Sequence, residues 1–189
     1  MESRRSCLPI LVVFLIALLA VSCAKKEKKG QAAPADTTKG KELSYVSQEV
    51  NFGAYFDESG TKRTIKLEKG QKALTIHVIV NFPEGMGISA AEYRLVLPQG
   101  LELDTDRAYE KIVAHLGTYR DGISESFACT QGPKLLLHTF TLKVTGELEN
   151  AEIAIMPDPQ NNFLGVALCR EGQDMIAASS YKAVVNPAE

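Results

Sequence analysis

Three histidines and two aspartates are the side chains of this chain best suited to chemistry. His77, His115 and His138 are the only histidines among the 189 residues, and imidazole both titrates near neutral pH and ligates metals. Asp104 and Asp106 offer carboxylates for acid–base work or for calcium. An enzyme would need at least two of these five side chains in one pocket, and His115 could share a surface with either other histidine. The sequence contains no GxSxG, P-loop, GxGxxG or HExxH motif.

These five residues also have simpler interpretations. His138 shares a predicted strand face with Leu136, which predicts a buried, hydrogen-bonded imidazole, whereas His77 lies on the polar face of its strand and is expected in solvent. A calcium site needs six to eight converging oxygens, and Asp104 and Asp106 lack the spacing of an EF-hand. We therefore predict no enzyme, no cofactor and no metal, with Asp104 and Asp106 as weak calcium candidates.

The beginning of the chain has the pattern of an export signal. Arg4 and Arg5 precede an apolar run at Leu8–Ala20, and small residues lead to Cys23. This order resembles the lipobox of bacterial lipoproteins, which implies cleavage after Ser22 and acylation of Cys23, so that the lipid bilayer holds the chain. The run is too short for a membrane span, which needs about 20 apolar residues. A plain secretory signal is the remaining alternative.

The residues after Cys23 predict a tether. From Gly30 to Glu42 no aliphatic side chain is larger than alanine, so this stretch has nothing to bury in a core. Ala24 stands where proteobacterial lipoproteins commonly carry an aspartate for inner-membrane retention, and this resemblance favours the outer membrane. We expect a signal peptide at 1–22, a lipidated Cys23 and flexible tether at 23–42, and one domain at 43–189 at the cell envelope.

Charge and cysteine content narrow the function classes. The 21 basic and 23 acidic side chains give a formal net charge of −2, so there is no basic surplus for nucleic-acid binding. Cleavage and acylation would account for Cys7 and Cys23, and the remaining Cys129 and Cys169 form an even pair in an exported domain. Such a pair predicts a disulfide. A metal pair or a catalytic thiol is the alternative, but neither cysteine has a CxxC partner or a nearby histidine.

After the tether, turn residues recur at short intervals between apolar segments, as in an all-β protein. Apolar and polar side chains alternate between turn signals, which predicts eight to ten strands in a sandwich or barrel. Asp121-Gly122 suits a hairpin turn, and Tyr109–Leu116 could instead form a short helix. The main predicted strands are Val50–Phe56, Ala73–Phe82, Ala90–Leu97, Lys111–Tyr119, Ile123–Cys129, Lys134–Val144 and Ala151–Met156.

Two of these segments resemble cohesin-type domains. ISAAEYRLVLPQGLEL at 88–103 resembles a small-residue loop that leads into a strand ending at a proline turn, and PKLLLHTFTLKV at 133–144 resembles a later strand with a Phe-x-x-Lys pattern. Val50–Phe56 would be the opening strand. The turn at 97–100 departs from the Tyr-Asp-Pro-like turn of that family. The resemblance implies a single jelly-roll β-sandwich of about nine strands, shared with carbohydrate-binding modules, and it carries over no dockerin-recognition residue.

The lack of a catalytic motif and the expected fold favour a binding module. We expect a membrane-anchored lipoprotein whose domain binds a protein partner through a sheet face or a loop end. The polar loop Met156–Asn162 is either a recognition loop or a connector stiffened by two prolines. A glycan-binding module and an enzyme with a His/Asp site are the alternatives. Glycan binding would need an exposed aromatic platform, for which the candidates are Tyr45, Tyr55, Tyr109, Tyr119 and Tyr181.

Overall fold

The computed structural model describes residues 46–170, 172 and 174–188, with side chains from residue 49. The predicted signal peptide, the lipidated Cys23, the tether at 23–42 and Tyr45 lie outside the described residues. Within them the chain forms twelve strands, and no helix there is long and apolar enough to cross a membrane. The strands are β1 (Val46–Tyr55), β2 (Thr64–Ile65), β3 (Ala73–Asn81), β4 (Gly87–Val96), β5 (Leu101–Ala108), β6 (Ile112–Thr118), β7 (Gly122–Gln131), β8 (Lys134–Val144), β9 (Ala151–Met156), β10 (Gly165–Leu168), β11 (Met175–Tyr181) and β12 (Ala183–Val185).

The strands are arranged as the two layers of a β-sandwich. One layer has the order β6-β7-β4-β10 and the other the order β11-β1-β3-β8-β5, and pairing between β10 and β11 joins them along one side. The layers pack face to face, since Phe52 on β1 lies 5.6 Å from Tyr93 on β4 between ring centroids. The predicted all-β sandwich is therefore confirmed. The count exceeds nine partly because it includes β2 and β12, of two and three residues.

The core consists of the alternating apolar side chains that predicted the strands. Along β3, Ile76, Val78 and Val80 have no exposed surface, and Leu74 is 5% exposed. Burying each such side chain contributes roughly 1.5–3 kcal/mol. The alternation at period two, which turns every second side chain inward, thus both specifies the strand and stabilises it.

A bulge in β8 changes which of its side chains face the core, compared with the prediction from the sequence. The register pairs Val78 with His138 and Ile79 with Leu136, which leaves Leu137 as an extra residue. Because an extra residue interrupts the alternation, Leu137 and His138 are both buried, whereas Leu136 is partly exposed. The prediction that His138 is buried is confirmed, and the prediction that Leu136 shares its face is wrong.

The segment with two interpretations is a strand rather than a helix. β6 pairs with β7 along its length, and Asp121 lies in the turn that joins them. Gly122 has a φ of 108°, which glycine adopts without a steric penalty. The predicted hairpin is therefore confirmed, and among the described strands β6 is an edge strand whose one partner is β7.

The predicted disulfide joins Cys129 and Cys169, with 5.6 Å between their Cα atoms. Cys129 lies on β7 and Cys169 follows β10, and these strands flank β4 on its two sides. The bond therefore passes over Gly87 at the start of β4, where an added Cβ would lie 3.0 and 3.1 Å from the two sulfurs. The disulfide thus links β7 to the end of β10 across β4, and glycine at position 87 leaves room for it.

Removing the disulfide with the double substitution Cys129→Ala and Cys169→Ala should lower the free energy of unfolding by about 4 kcal/mol, because the bond closes a long loop in the unfolded chain. Urea unfolding of both proteins measures the difference. Reductant should lower the stability of the native chain to that of the variant and leave the variant unchanged. Equal stability of the two oxidised proteins would contradict this expectation.

Candidate functional site

His115, Glu125 and His138 meet between the two layers, on the side of the sandwich where β6 is the edge strand. His115 on β6 lies directly opposite Glu125 on β7, with 3.0 Å between its Nδ1 and Glu125 Oε1. His138 reaches the same oxygen from β8 in the other layer through its Nε2. Glu125 and His138 are 3% and 2% exposed, whereas the side chain of His115 is 34% exposed. Side chains of three strands thus converge on one buried oxygen.

The surroundings of this His–Glu–His cluster hold the carboxylate in place. The Tyr93 hydroxyl donates to Glu125 Oε2 at 3.4 Å. Burial, and then the nearby Glu125 charge, raise the pKa of Tyr93 well above its usual value, so the phenol keeps its proton. The ring of His138 stacks between those of His115 and Phe140, at centroid distances of 5.2 and 5.1 Å. Aromatic rings and one phenol therefore enclose the site.

The cluster combines residues that the sequence indicated with one that it did not. His115 and His138 were among the five candidates, and the structure brings these two together. The Nε2 of the buried His138 contacts Glu125 Oε1, but neither ring nitrogen makes a hydrogen bond of normal geometry with a described residue. Glu125 was missed because a glutamate in an alternating strand is normally exposed. Its position in phase with buried Ile123 and Phe127 was the available signal.

His77 lies apart from this cluster and corrects a prediction. It is 7% exposed rather than solvated, and its Nδ1 is 3.1 Å from Thr139 Oγ1. The turn after β1 passes over this face of the sheet, where Lys134 Nζ donates to the Ser59 carbonyl at 2.6 Å. Burial lowers the pKa of His77 below 6.5, and nearby acidic side chains only partly oppose this effect.

Asp104 and Asp106 are exposed on β5. Asp104 is paired with Lys143, whose Nζ is 2.6 Å from Asp104 Oδ1, and this hydrogen bond raises the pKa of Lys143. In the described ranges, the one group of three His, Cys, Asp or Glu side chains close enough to hold a metal is the His–Glu–His cluster. The arrangement of Asp104 and Asp106 therefore gives the calcium prediction no support.

The outer surface of β6, β7, β4, β10 and β11 is composed mainly of small side chains. Strand register aligns two rows across it, which together we call the small-residue face. Glu92 is the one charged side chain in these rows, and the rows end at exposed Leu116 (70%) and Met175 (37%). The first row is Leu116, Ser124, Glu92, Gly165 and Ala177, and the second is Ala114, Ser126, Ala90, Ala167 and Met175.

A groove of about 460 Å³ adjoins this face, and Glu92, Phe163 and Met175 are among its lining residues. The loop that the sequence offered as a recognition loop forms one wall. Asn161 contacts the Glu92 carboxylate, and the buried Asp158 accepts a hydrogen bond from the Gln160 amide at 2.7 Å. The loop is thus a braced connector that also lines the groove.

The tyrosines proposed for glycan contact do not form an exposed platform within the described part of the chain. Tyr55 is buried, and Tyr109 and Tyr119 are partly buried. Tyr181 is 45% exposed and has the guanidinium of Arg63 4.8 Å from its ring centroid. Glycan recognition by stacking on several coplanar rings therefore has no support from these side chains.

The fold of the described domain is also found in solved structures. A type I cohesin of Pseudobacteroides cellulosolvens superposes with a TM-score of 0.53 at 15% identity, over 74% of this chain and 92% of that chain. The described domain has the cohesin fold. A cohesin module of a Clostridium perfringens family 33 glycoside hydrolase matches with a TM-score of 0.52 at 9% identity, over 75% of this chain and 100% of the other.

A third cohesin-fold structure extends the comparison. It is a type III cohesin module from the cellulosomal cell-surface anchoring scaffoldin of Ruminococcus flavefaciens, with a TM-score of 0.50 at 11% identity, over 85% of this chain and 97% of that chain. No protein-family model and no curated protein sequence matches this chain. Since identity is so low, the likeness concerns the fold, and the cohesin-like sandwich implied by the sequence resemblance is confirmed.

The buried His77 should make the domain less stable in acid. Because its folded pKa lies below 6.5, the unfolded chain binds more protons as the pH falls through 6.5, and the free energy of unfolding decreases. His77→Gln, which keeps a hydrogen-bonding group near Thr139, should lose less stability than the native chain between about pH 7.5 and about pH 5. Urea unfolding at a series of pH values measures this, and identical slopes would refute the effect.

Proposed function

We propose that this chain is an envelope lipoprotein, anchored through acylated Cys23, whose cohesin-like domain is a non-catalytic module that binds another protein. The observation that carries the proposal is the small-residue face, two aligned rows across five strands with one charged side chain, of which the β10 members Gly165 and Ala167 are buried. The central parts of protein interfaces are depleted in charged residues. A sheet surface with few long charged side chains allows a partner to approach the backbone closely.

The partner chemistry follows from the composition of this face. Its apolar groups are at the ends, where Leu116 and Met175 are exposed, and its hydroxyls and the Glu92 carboxylate lie between them. A partner surface with apolar anchors and hydrogen-bond donors fits this distribution, and a polyanion does not. A standard interface covers about 800 Å² on each partner, so the adjacent groove would contribute to the contact.

The fold comparison supports a binding role rather than a catalytic one. The matching structures are cohesin modules, one of them from a cell-surface anchoring scaffoldin. The proposed anchor at Cys23 and tether to residue 42 would likewise hold the domain at a membrane surface. Ala24 favours the outer membrane as that surface.

Substitution of Ser126 in the middle of the small-residue face tests the proposed contact. Ser126→Arg places a long charged side chain there, and we expect partner binding to fall at least about tenfold, a cost of about 1.4 kcal/mol. Thr75→Arg, at an exposed position on β3 in the other layer, is the matched control and should bind normally. Co-purification from the native host, with a photoreactive residue at either position, identifies the partner. Equal crosslinking from both positions, or binding unaffected by Ser126→Arg, would refute the assigned surface.

The anchor is tested through Cys23. Cells grown with labelled palmitate should incorporate the label into the native chain, and Cys23→Ala should abolish it and release the domain from the membrane fraction, because acyl chains provide the attachment. Density-gradient fractionation should place the native chain with outer-membrane markers. Label on the Cys23→Ala variant would overturn the lipidation proposal, and co-sedimentation of the native chain with inner-membrane markers would overturn the proposed location.

A further inference from the structure

We propose that His115, Glu125 and His138 bind a first-row transition-metal dication, and that zinc is the ion that suits them best. This inference is independent of the proposed partner and of the anchor. It rests on the convergence of the three side chains, on the unsatisfied state of His138, and on the position of the cluster between two layers.

The donor set favours zinc over calcium or magnesium. Two imidazole nitrogens and one carboxylate oxygen are ligands that Zn²⁺ accepts, whereas Ca²⁺ and Mg²⁺ take mainly oxygen. The three ligand atoms all lie within 4.8 Å of one another. Bonds of about 2.0–2.2 Å in a tetrahedral site put ligand atoms between about 3 and 4 Å apart. Small side-chain movements would therefore bring the three atoms around one ion.

The arrangement without an ion leaves buried polar atoms poorly satisfied. Two imidazole nitrogens crowd a single oxygen, Glu125 Oε1. Both ring nitrogens of His138 lack a hydrogen bond among the described residues, although this side chain is 2% exposed and its Nε2 is directed at the carboxylate. Buried polar atoms without partners are rare in folded proteins. An ion between the three groups would give Nε2 a coordination bond in place of a contact with Glu125 Oε1 that lacks hydrogen-bond geometry.

The residues around the cluster support the carboxylate ligand, whereas His138 Nδ1 has no hydrogen bond among the described residues. Carboxylate ligands are usually held by a further hydrogen bond, and Tyr93 supplies one to the second oxygen of Glu125. His115 is on the edge strand with its side chain 34% exposed, so an ion can enter from that side. Three protein ligands leave one position of a tetrahedral ion for water or another ligand.

A bound ion would connect the edge of one layer to the other. His115 belongs to β6, which pairs with one strand, and His138 belongs to β8 in the opposite layer. The neighbour of His115 on β6 is Leu116, which ends a row of the small-residue face. Metal binding would thus hold β6 in place, and β6 carries the Leu116 end of the small-residue face.

Zinc titration of the purified full chain, after removal of metals with a chelating resin, tests the proposal. Competition with a chromophoric chelator should reveal a site that His115→Gln weakens by at least about tenfold. This substitution is at a partly exposed edge position, and thermal unfolding checks that the variant folds. Co²⁺ should give the visible absorption of a tetrahedral site in the native chain and lose it in the variant.

Two controls separate this site from zinc bound elsewhere. His77→Gln removes a buried histidine outside the cluster and should bind zinc like the native chain. Tyr93→Phe deletes only the hydroxyl that holds Glu125 and should weaken binding less than His115→Gln does. In the native chain, zinc should also slow amide hydrogen exchange along Ile112–Thr118. Equal zinc affinity of the native chain and His115→Gln, or no zinc bound by the native chain at micromolar concentration, would overturn the proposal and leave a metal-free buried polar cluster.

Discussion

The burial of the Glu125 carboxylate is the constraint on which this side of the sandwich depends. A carboxylate deprived of water costs several kcal/mol unless its partners compensate, and here the partners come from three other strands. Tyr93 on β4 donates to one oxygen, while His115 on β6 and His138 on β8 contact the other. These contacts therefore hold β6 and β7 against β8 of the other layer. Among the described strands β6 pairs only with β7, so strand pairing does not hold it there.

The edge strand β6 links this buried chemistry to the proposed binding surface. Successive residues of a strand point to opposite faces, so His115 turns toward the cluster and Leu116 toward the small-residue face. At the other end of β7 the disulfide between Cys129 and Cys169 ties that strand to the end of β10 across β4. The cluster thus holds β6, β7 and β4 from the inside, and the disulfide holds β7 to the end of β10.

Much of this fold could be predicted from the sequence, because alternation at period two and turn residues act locally. β8 and β9 begin and end at the predicted residues. The disulfide was predicted because Cys129 and Cys169 are the two cysteines that remain after the predicted signal peptide and the lipidated cysteine are set aside. The bulge at Leu137 could not be predicted, since it depends on how β8 aligns with β3. The burial of His77 was missed for a similar reason, because a turn from another part of the chain covers it.

The candidate sites depended even more on tertiary register. His115 and Glu125 lie in one hairpin and could have been paired from the turn at Asp121-Gly122, but His138 joins them only through packing of the layers. The small-residue face could not be predicted from the sequence, because serine and alanine at alternate positions have no functional signature. These residues form one face only because five strands lie side by side.

Anomalous diffraction at the zinc absorption edge, from crystals of the full chain grown with zinc, would locate the ion. We expect one peak about 2.0–2.2 Å from His115 Nδ1, His138 Nε2 and a carboxylate oxygen of Glu125. A peak only at other residues, or no peak between β6, β7 and β8, would contradict it.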